Sequence, residues 1–533
     1  MNKNFDFIVV GGGSAGAVLA SRLTENKDCT VLLLEAGGND NSLSIQIPVG
    51  AASIVPRAHK NWAFETVPQP GLNNRKGYQP RGKVLGGSSS INAMVYVRGH
   101  QQDYDDWGSL GWGWKDVLPY FLKSEHNESI HDELHGQGGL LNVADSRSNN
   151  LVADAFIEAA KNAGFPYSSD FNGKRQEGIG RYQVTQKNGE RCSAAKGYLS
   201  HSVRERDNLT IITNAHTTKL LVKELHCYGV EAEIKGKRYQ FYASKEVELA
   251  AGAFGSPQLL MLSGIGNTEE LDALGIKSLH HLPGVGENLQ DHPDYVSAYL
   301  ADTHQVFGLS LKGGGYMAKE AIKFLGKKEG MFTSNFAETG GFLKTSPELE
   351  RPDIQFHFTI ALVKDHARDM KASLSHGFSN HVCVLRPKSK GTLKLASADP
   401  MAAPLIDPNF LSAPEDVDVM LKGIRLSCQI MQQPEIRQYI KKPIDNESKM
   451  NDQELVQHIR DMSDTVYHPV GTCKMGTDKM AVVTPELKVH GLTGLRVVDA
   501  SIFPNLIGGN TNAPTIMVAE RASDWIKQEY LAK

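Results

Sequence analysis

Residues 5–35 constrain this chain more than any other stretch. Phe5–Val10 is an apolar run that reads as a short buried strand. Gly11, Gly13 and Gly16 follow it as G-x-G-x-x-G, Ala17–Leu23 continues as a helix, and a second apolar run over 30–34 ends in Glu35. Strand, glycine turn, helix, strand and acid in this order form a dinucleotide-binding unit. The first glycine permits the tight turn, the second lets backbone approach a pyrophosphate, and the third lets the helix pack closely on the strand. The helix N-terminus offers free N–H groups and partial positive charge to the phosphates. An acid about 20 residues on accepts from the ribose hydroxyls, and Glu35 holds that place. Ser14, Ala15 and Ala36, set among these residues, join the expected cofactor contacts.

The same turn carries a competing pattern. Gly12–Gly16 also spells G-x-S-x-G, the nucleophile elbow of hydrolases. That elbow needs strands and an oxyanion loop upstream of its serine. The residues before Ser14 are too few for them, so a hydrolase is not expected.

A chain of 533 residues exceeds one small domain, and at roughly 100–200 residues per domain two or more units are expected. A net charge of −3 gives no global field for nucleic acid or an anionic membrane, which leaves local basic patches as the only electrostatic route to either. The six cysteines show no CxxC spacing, which argues against a disulfide framework or a zinc site and favours a reducing compartment. His131 and His135 lie four apart in a polar stretch, HDELHGQGG, that reads as a loop, so no metal is expected. The opening MNKNFDFIVV lacks the pattern of a signal peptide. Phe7–Ala20 is uncharged but glycine-interrupted and shorter than the roughly 20 residues of a spanning helix. A cytoplasmic protein follows, with membrane contact at most peripheral, at the inner face of the cell membrane. Nothing in the sequence sets an oligomeric state.

The turn by itself does not separate NAD from FAD. Longer motifs do so by resemblance. Residues 82–99, beginning GKVLGGSSSIN, and 252–266, GAFGSPQLLMLSGIG, resemble the two signatures of the glucose–methanol–choline (GMC) oxidoreductases. YHPVGT (467–472), VDAS (498–501) and GNTNAPT (509–515) resemble the active-site and flavin-binding segments of that family, in family order. Further stretches, such as YQVTQKNG (182–189), are similar to its choline- and aliphatic-alcohol-oxidising branches.

The resemblance implies an α/β chain, α+β overall: a Rossmann-like FAD domain over 1–300 with inserted cover segments, a substrate domain over 301–454 built on an antiparallel sheet with helices, and 455–533 returning to complete the FAD domain and active site. It implies cofactor contacts at Trp62, Gly87, Ser88, Asn92, Ala93, Met94, Val95, His216, Ala251, Asp499, Ala500, Asn510 and Thr511. Some family members bind FAD covalently through a histidine just before the asparagine of the first signature. Ile91 stands there, so non-covalent FAD is expected.

Oxidation of an alcohol by hydride transfer to flavin N5 requires that the hydroxyl lose a proton. A base with a pKa near working pH does this best, and histidine is the natural choice. Of 19 histidines, the resemblance singles out His468 as base or alkoxide stabiliser. It places Asn512 beside the same oxygen. Asn512 also reads as a helix cap, because Pro514 opens a helical pattern. Glu338 stands where choline-oxidising relatives hold an acid facing the cationic head group. The expected reaction is oxidation of primary aliphatic or aromatic alcohols to aldehydes, with quinone, dye or O2 as acceptor. Choline dehydrogenase and oxygen-using alcohol oxidase are the alternatives within the family, and its non-redox lyases and photodecarboxylases stand further off.

Overall fold

A computed structural model describes residues 3–308, 310–369, 372 and 374–531. Two sheets organise them. Their strands are β1 (Asn4–Val10), β2 (Val31–Glu35), β3 (Gly178–Arg181), β4 (Leu209–Thr213), β5 (Ala215–Lys223), β6 (His226–Ile234), β7 (Lys237–Leu249), β8 (Pro293–Ala301), β9 (Ala337–Leu343), β10 (Ile354–Thr359), β11 (Gly377–Val384), β12 (Ile440–Pro443), β13 (Asp464–Thr465) and β14 (Leu495–Val497). Six helices matter for the site: α1 (Ser14–Leu23), α2 (Leu151–Asn162), α3 (Gly252–Leu262), α4 (Leu311–Lys327), α5 (Pro414–Met431) and α6 (Asn512–Tyr530).

The first sheet runs β4-β2-β1-β7-β6-β5, with β14 beside the far half of β7. Its pairs β4–β2, β2–β1, β1–β7 and β7–β14 are parallel. Helices cover both faces of a parallel sheet, so its strands are apolar throughout rather than alternating. VLLLE in β2 is buried at every position. The antiparallel hairpin β5–β6–β7 extends one edge. α1 and α6 pack together on this sheet. The buried Glu520 of α6 accepts from Arg22 of α1, at 2.9 Å to Nε, and from the Tyr198 hydroxyl at 2.7 Å. The C-terminal helix is thereby fixed with its first turn beside the first glycine turn.

The second sheet runs β12-β8-β11-β10-β9-β3 and is antiparallel throughout, with β13 paired to β8. α2 and α5 pack on its back. Strict alternation follows in β10. Ile354, Phe356 and Phe358 join the core under these helices, while His357 and Thr359 face a cavity on the other side. The sheet draws β3 and β8 from residues expected in the cofactor domain, and the boundary expected at 300/301 falls inside β8. The physical reason is the ladder. A strand's hydrogen bonds belong to one sheet, and PDYVSAYLA pairs with β11 over its length.

Candidate active site

A cavity of about 730 Å³ runs between the two sheets, within the roughly 300–1,000 Å³ typical of small-molecule sites. One end is the glycine turn. A Cβ on Gly16 would lie 1.8 Å from the Gly11 carbonyl oxygen, so only glycine lets α1 close on β1. Gly87 has φ +54, and a Cβ there would lie 2.7 Å from Gly13 Cα. The two glycine loops thus meet backbone to backbone. No side chain caps the N-terminus of α1, which leaves its first N–H groups to whatever fills the cavity. Glu35 accepts from Gly12 N–H at 2.8 Å and from Gly37 N–H at 2.7 Å. Burial pushes its carboxyl up to about 7 against the pull of these bonds.

The expected contacts Gly11, Gly13, Ser14, Ala15, Glu35, Ala36, Trp62, Gly87, Ser88, Asn92, Ala93, Met94, Val95, His216, Ala251, Asp499, Ala500, Asn510 and Thr511 all line this cavity. Gly16 does not, because its role is helix packing. The carboxylate of Asp499 accepts from Gly252 N–H at 2.8 Å, Ser256 Oγ at 2.6 Å and Ser501 N–H at 2.8 Å. It therefore anchors α3 and the following turn.

His468 lies at the other end, buried. Tyr467 before it takes φ +76, unusual for a bulky residue. Arg81 Nη2 donates to the Tyr467 carbonyl at 2.9 Å, and Tyr467 N–H donates to Thr465 Oγ1 at 2.6 Å. His468 N–H donates to Asp291 Oδ1 at 2.8 Å. These bonds hold the strained turn and aim the imidazole.

The ring is oriented from both sides. His292 Nε2 stands 2.9 Å from Leu385 O and 3.1 Å from Ile507 O. Carbonyls only accept, so this nitrogen carries the proton and His292 Nδ1 carries the lone pair. His468 Nδ1 lies 2.9 Å from that lone pair and must be the donor. His468 Nε2 is then the bare nitrogen. From the other side, Gln355 Nε2 donates to Asn510 Oδ1 at 3.1 Å. This turns Asn510 Nδ2 toward His468 Nε2, at 3.2 Å. Burial first, then the repulsion that a second cation at His292 or His357 would add and the positive charge of Arg81, hold His468 well below the usual imidazole range. Burial likewise pushes His292 down to about 4 and His357 to about 3. The pocket thus holds a neutral imidazole with its lone pair beside an amide donor.

Two expectations are corrected. Asn512 lines the cavity but accepts at 2.7 Å from Ser14 Oγ at the glycine turn, and Asn510 takes the place beside His468. The reason is the helix start. Residue 512 opens α6, whose position α1 fixes, while residue 510 lies in the loop that leads into it. Glu338 lies outside the cavity lining. Ala337 lines it, but the register of β9 on β10 is broken between Ala337 and Thr339, and Glu338 is buried away from the lining, 3.8 Å from Arg181.

Sequence reasoning missed His292, His357 and His381. Polar residues at 355, 357 and 359 alternate within β10, and that period marks a polar face on His357. His292 carries no such signal, because its partners come from residues 385, 468 and 507.

The profiles of one family, the GMC oxidoreductases, match residues 5–294 and 387–519. The chain is 46% identical over 529 residues to an alcohol dehydrogenase [acceptor] of Pseudomonas putida, covering 98% of this chain and 95% of that protein. It is 42% identical to the mitochondrial choline dehydrogenase of Mus musculus, covering 98% and 89%. The solved structure of pyridoxine 4-oxidase from Mesorbium loti superposes with a TM-score of 0.88 at 29% identity, covering 99% of both chains.

Proposed function

The chain belongs to the GMC oxidoreductase family, FAD-dependent enzymes acting on CH–OH donors, and from that premise we propose that it oxidises uncharged primary alcohols to aldehydes. The residues present fit the cofactor. The uncapped N-terminus of α1 would receive the pyrophosphate, Glu35 the ribose, and the Gly13–Gly87 contact gives backbone a close approach that a Cβ would close. FAD, when bound, supplies the hydride acceptor. Isoleucine at position 91, which cannot form a bond to flavin, supports non-covalent binding.

His468 Nε2 would accept the hydroxyl proton, and Asn510 Nδ2 would donate to the oxygen as charge develops there. A weak base is sufficient. As the carbinol C–H bond is lost, the hydroxyl becomes a protonated carbonyl, far more acidic than an imidazolium.

One observation carries the choice of an uncharged alcohol. Among the described residues, Glu35 and Asp499 are the carboxylates that line the cavity, and both are engaged by backbone or serine donors. The His468 end is lined by His357, Thr359, His381, Asn335, Phe336 and Leu362. Asp294 lies behind His381 and accepts from its Nδ1 at 2.6 Å. A quaternary ammonium here would be desolvated without a free anion, which is costly.

The test is a dye-linked assay of hexanol, benzyl alcohol and choline, with and without oxygen. The reading expects kcat/KM for hexanol at least 100-fold above choline and undiminished dye reduction without oxygen. Choline turnover equal to hexanol would overturn it, and peroxide release under air would make the protein an oxidase instead.

A further inference from the structure

α4 presents an unusual outer face. Its inner side is anchored. Glu320 is buried and accepts from Met331 N–H at 2.9 Å and from Lys323 Nζ at 2.6 Å. Phe324 packs against Phe332, and Met317 lines the active-site cavity. At 100° per residue, that anchoring turns Leu311, Gly314, Gly315, Ala318, Ile322 and Leu325 outward as one stripe. Leu311 is 100% exposed, Ile322 71% and Leu325 77%. Lysines border the stripe: Lys319, Lys323 and Lys327 stand exposed along one side. Residues 311–328 hold five lysines and one glutamate in a chain whose net charge is −3.

An outward apolar stripe bordered by lysines is the pattern of a helix lying in a membrane interface, its apolar face among the acyl chains and its lysines at the head groups. Among the described residues no helix is long and apolar enough to cross a membrane, so contact through α4 would be at the surface. We propose that the outer face of α4 is a docking surface for an anionic lipid bilayer. The lysine border selects this occupant over a second copy of the chain, since two copies of the stripe would bring like charges together. The surface is the outside of a cavity wall, because Met317 on the same helix faces the site. Docking there sets the alcohol-binding cavity against the lipid. The proposal does not depend on which alcohol is oxidised.

The full-length holoenzyme is mixed with vesicles of phosphatidylcholine, or of phosphatidylcholine with phosphatidylglycerol, and sedimented at low and high salt. The expected result is binding to the anionic vesicles, weak binding to phosphatidylcholine alone, and loss on adding salt. The double variant Ile322→Glu/Leu325→Glu should lower partitioning at least tenfold. Lys319→Glu/Lys327→Glu should lower it strongly too, since each lysine near such a surface is worth about fivefold. Both should keep bound FAD and normal oxidation of a water-soluble alcohol with a soluble dye, because these side chains lie outside the cavity lining. No vesicle binding by the wild type would overturn the proposal, as would binding that the variants leave unchanged. A wild-type dimer by light scattering that Ile322→Glu/Leu325→Glu splits into monomers would overturn it in favour of a second copy.

Discussion

Replacing His292 separates a positioning role from a merely structural one. Its Nε2–H is committed to Leu385 O and Ile507 O, so its Nδ1 can only accept from His468. His292→Gln keeps an amide N–H near the carbonyls but removes the acceptor at Nδ1. His468 Nδ1–H is then a buried donor without a partner, which costs about 1–3 kcal/mol. The competing tautomer, with the proton on Nε2, gains by that amount and offers the alcohol a donor in place of a lone pair. Flavin reduction should slow by about 5- to 150-fold. His292→Asn places Oδ1 near the lost Nδ1, so it keeps the acceptor while giving up the carbonyl contacts. It should melt lower yet reduce flavin faster than the glutamine variant. The measurement is anaerobic stopped-flow absorbance of flavin with saturating alcohol, on preparations matched for FAD content. Reduction by His292→Gln at the wild-type rate, or by His292→Asn more slowly than by His292→Gln, would refute the tautomer argument.

Other outcomes follow from the same geometry. Asn510→Ala should retain FAD and slow flavin reduction by about 100-fold, whereas Asn512→Ala should leave reduction within a few-fold and cost about 1 kcal/mol through the lost Ser14 bond; the reverse order would restore Asn512 as the second active-site residue. Because the folded pKa of His468 is depressed, the neutral base persists above that pKa and is lost only as pH falls through it. kcat/KM should therefore hold level from pH 9 down to 6.5, and an acid limb centred above 6.5 would contradict the burial argument. Gly87→Ala forces a Cβ into Gly13 at φ +54 and should cost about 3 kcal/mol, read as a lower Tm and a drop in bound FAD; an unchanged holoenzyme would mean the two loops are not in contact. Acid precipitation should leave the flavin absorbance in the supernatant, and yellow protein pellets would disprove non-covalent binding.

Much of the nucleotide end is legible from residues alone because its interactions are local. The turn from Gly11 to Gly16, the run over 30–34 and Glu35 lie close in sequence, and each constraint acts on neighbouring backbone. The substrate end is legible only in part. The alternation Gln355, His357, Thr359 marks a polar strand face, but which face meets the cavity depends on α2 and α5 covering the other side. The expected boundary at 300/301 falls inside β8 for a related reason: the apolar pattern identifies β8 as a strand without saying which sheet completes its hydrogen bonds.

The sequence by itself determined the dinucleotide unit, the segments that resemble a flavin enzyme, the isoleucine that cannot bond the cofactor, and His468 as the candidate base. Only the tertiary structure decided what stands beside that base. Asn510 and Asn512 are two residues apart, and no local rule distinguishes them. Packing of α6 on α1 gives one to Ser14 and the other to His468. The proton on His468 is settled by carbonyls from residues 385 and 507 acting through His292. A hydrogen-bond chain assembled from segments that far apart has no imprint in local pattern, because its geometry exists only once the two sheets have closed on each other.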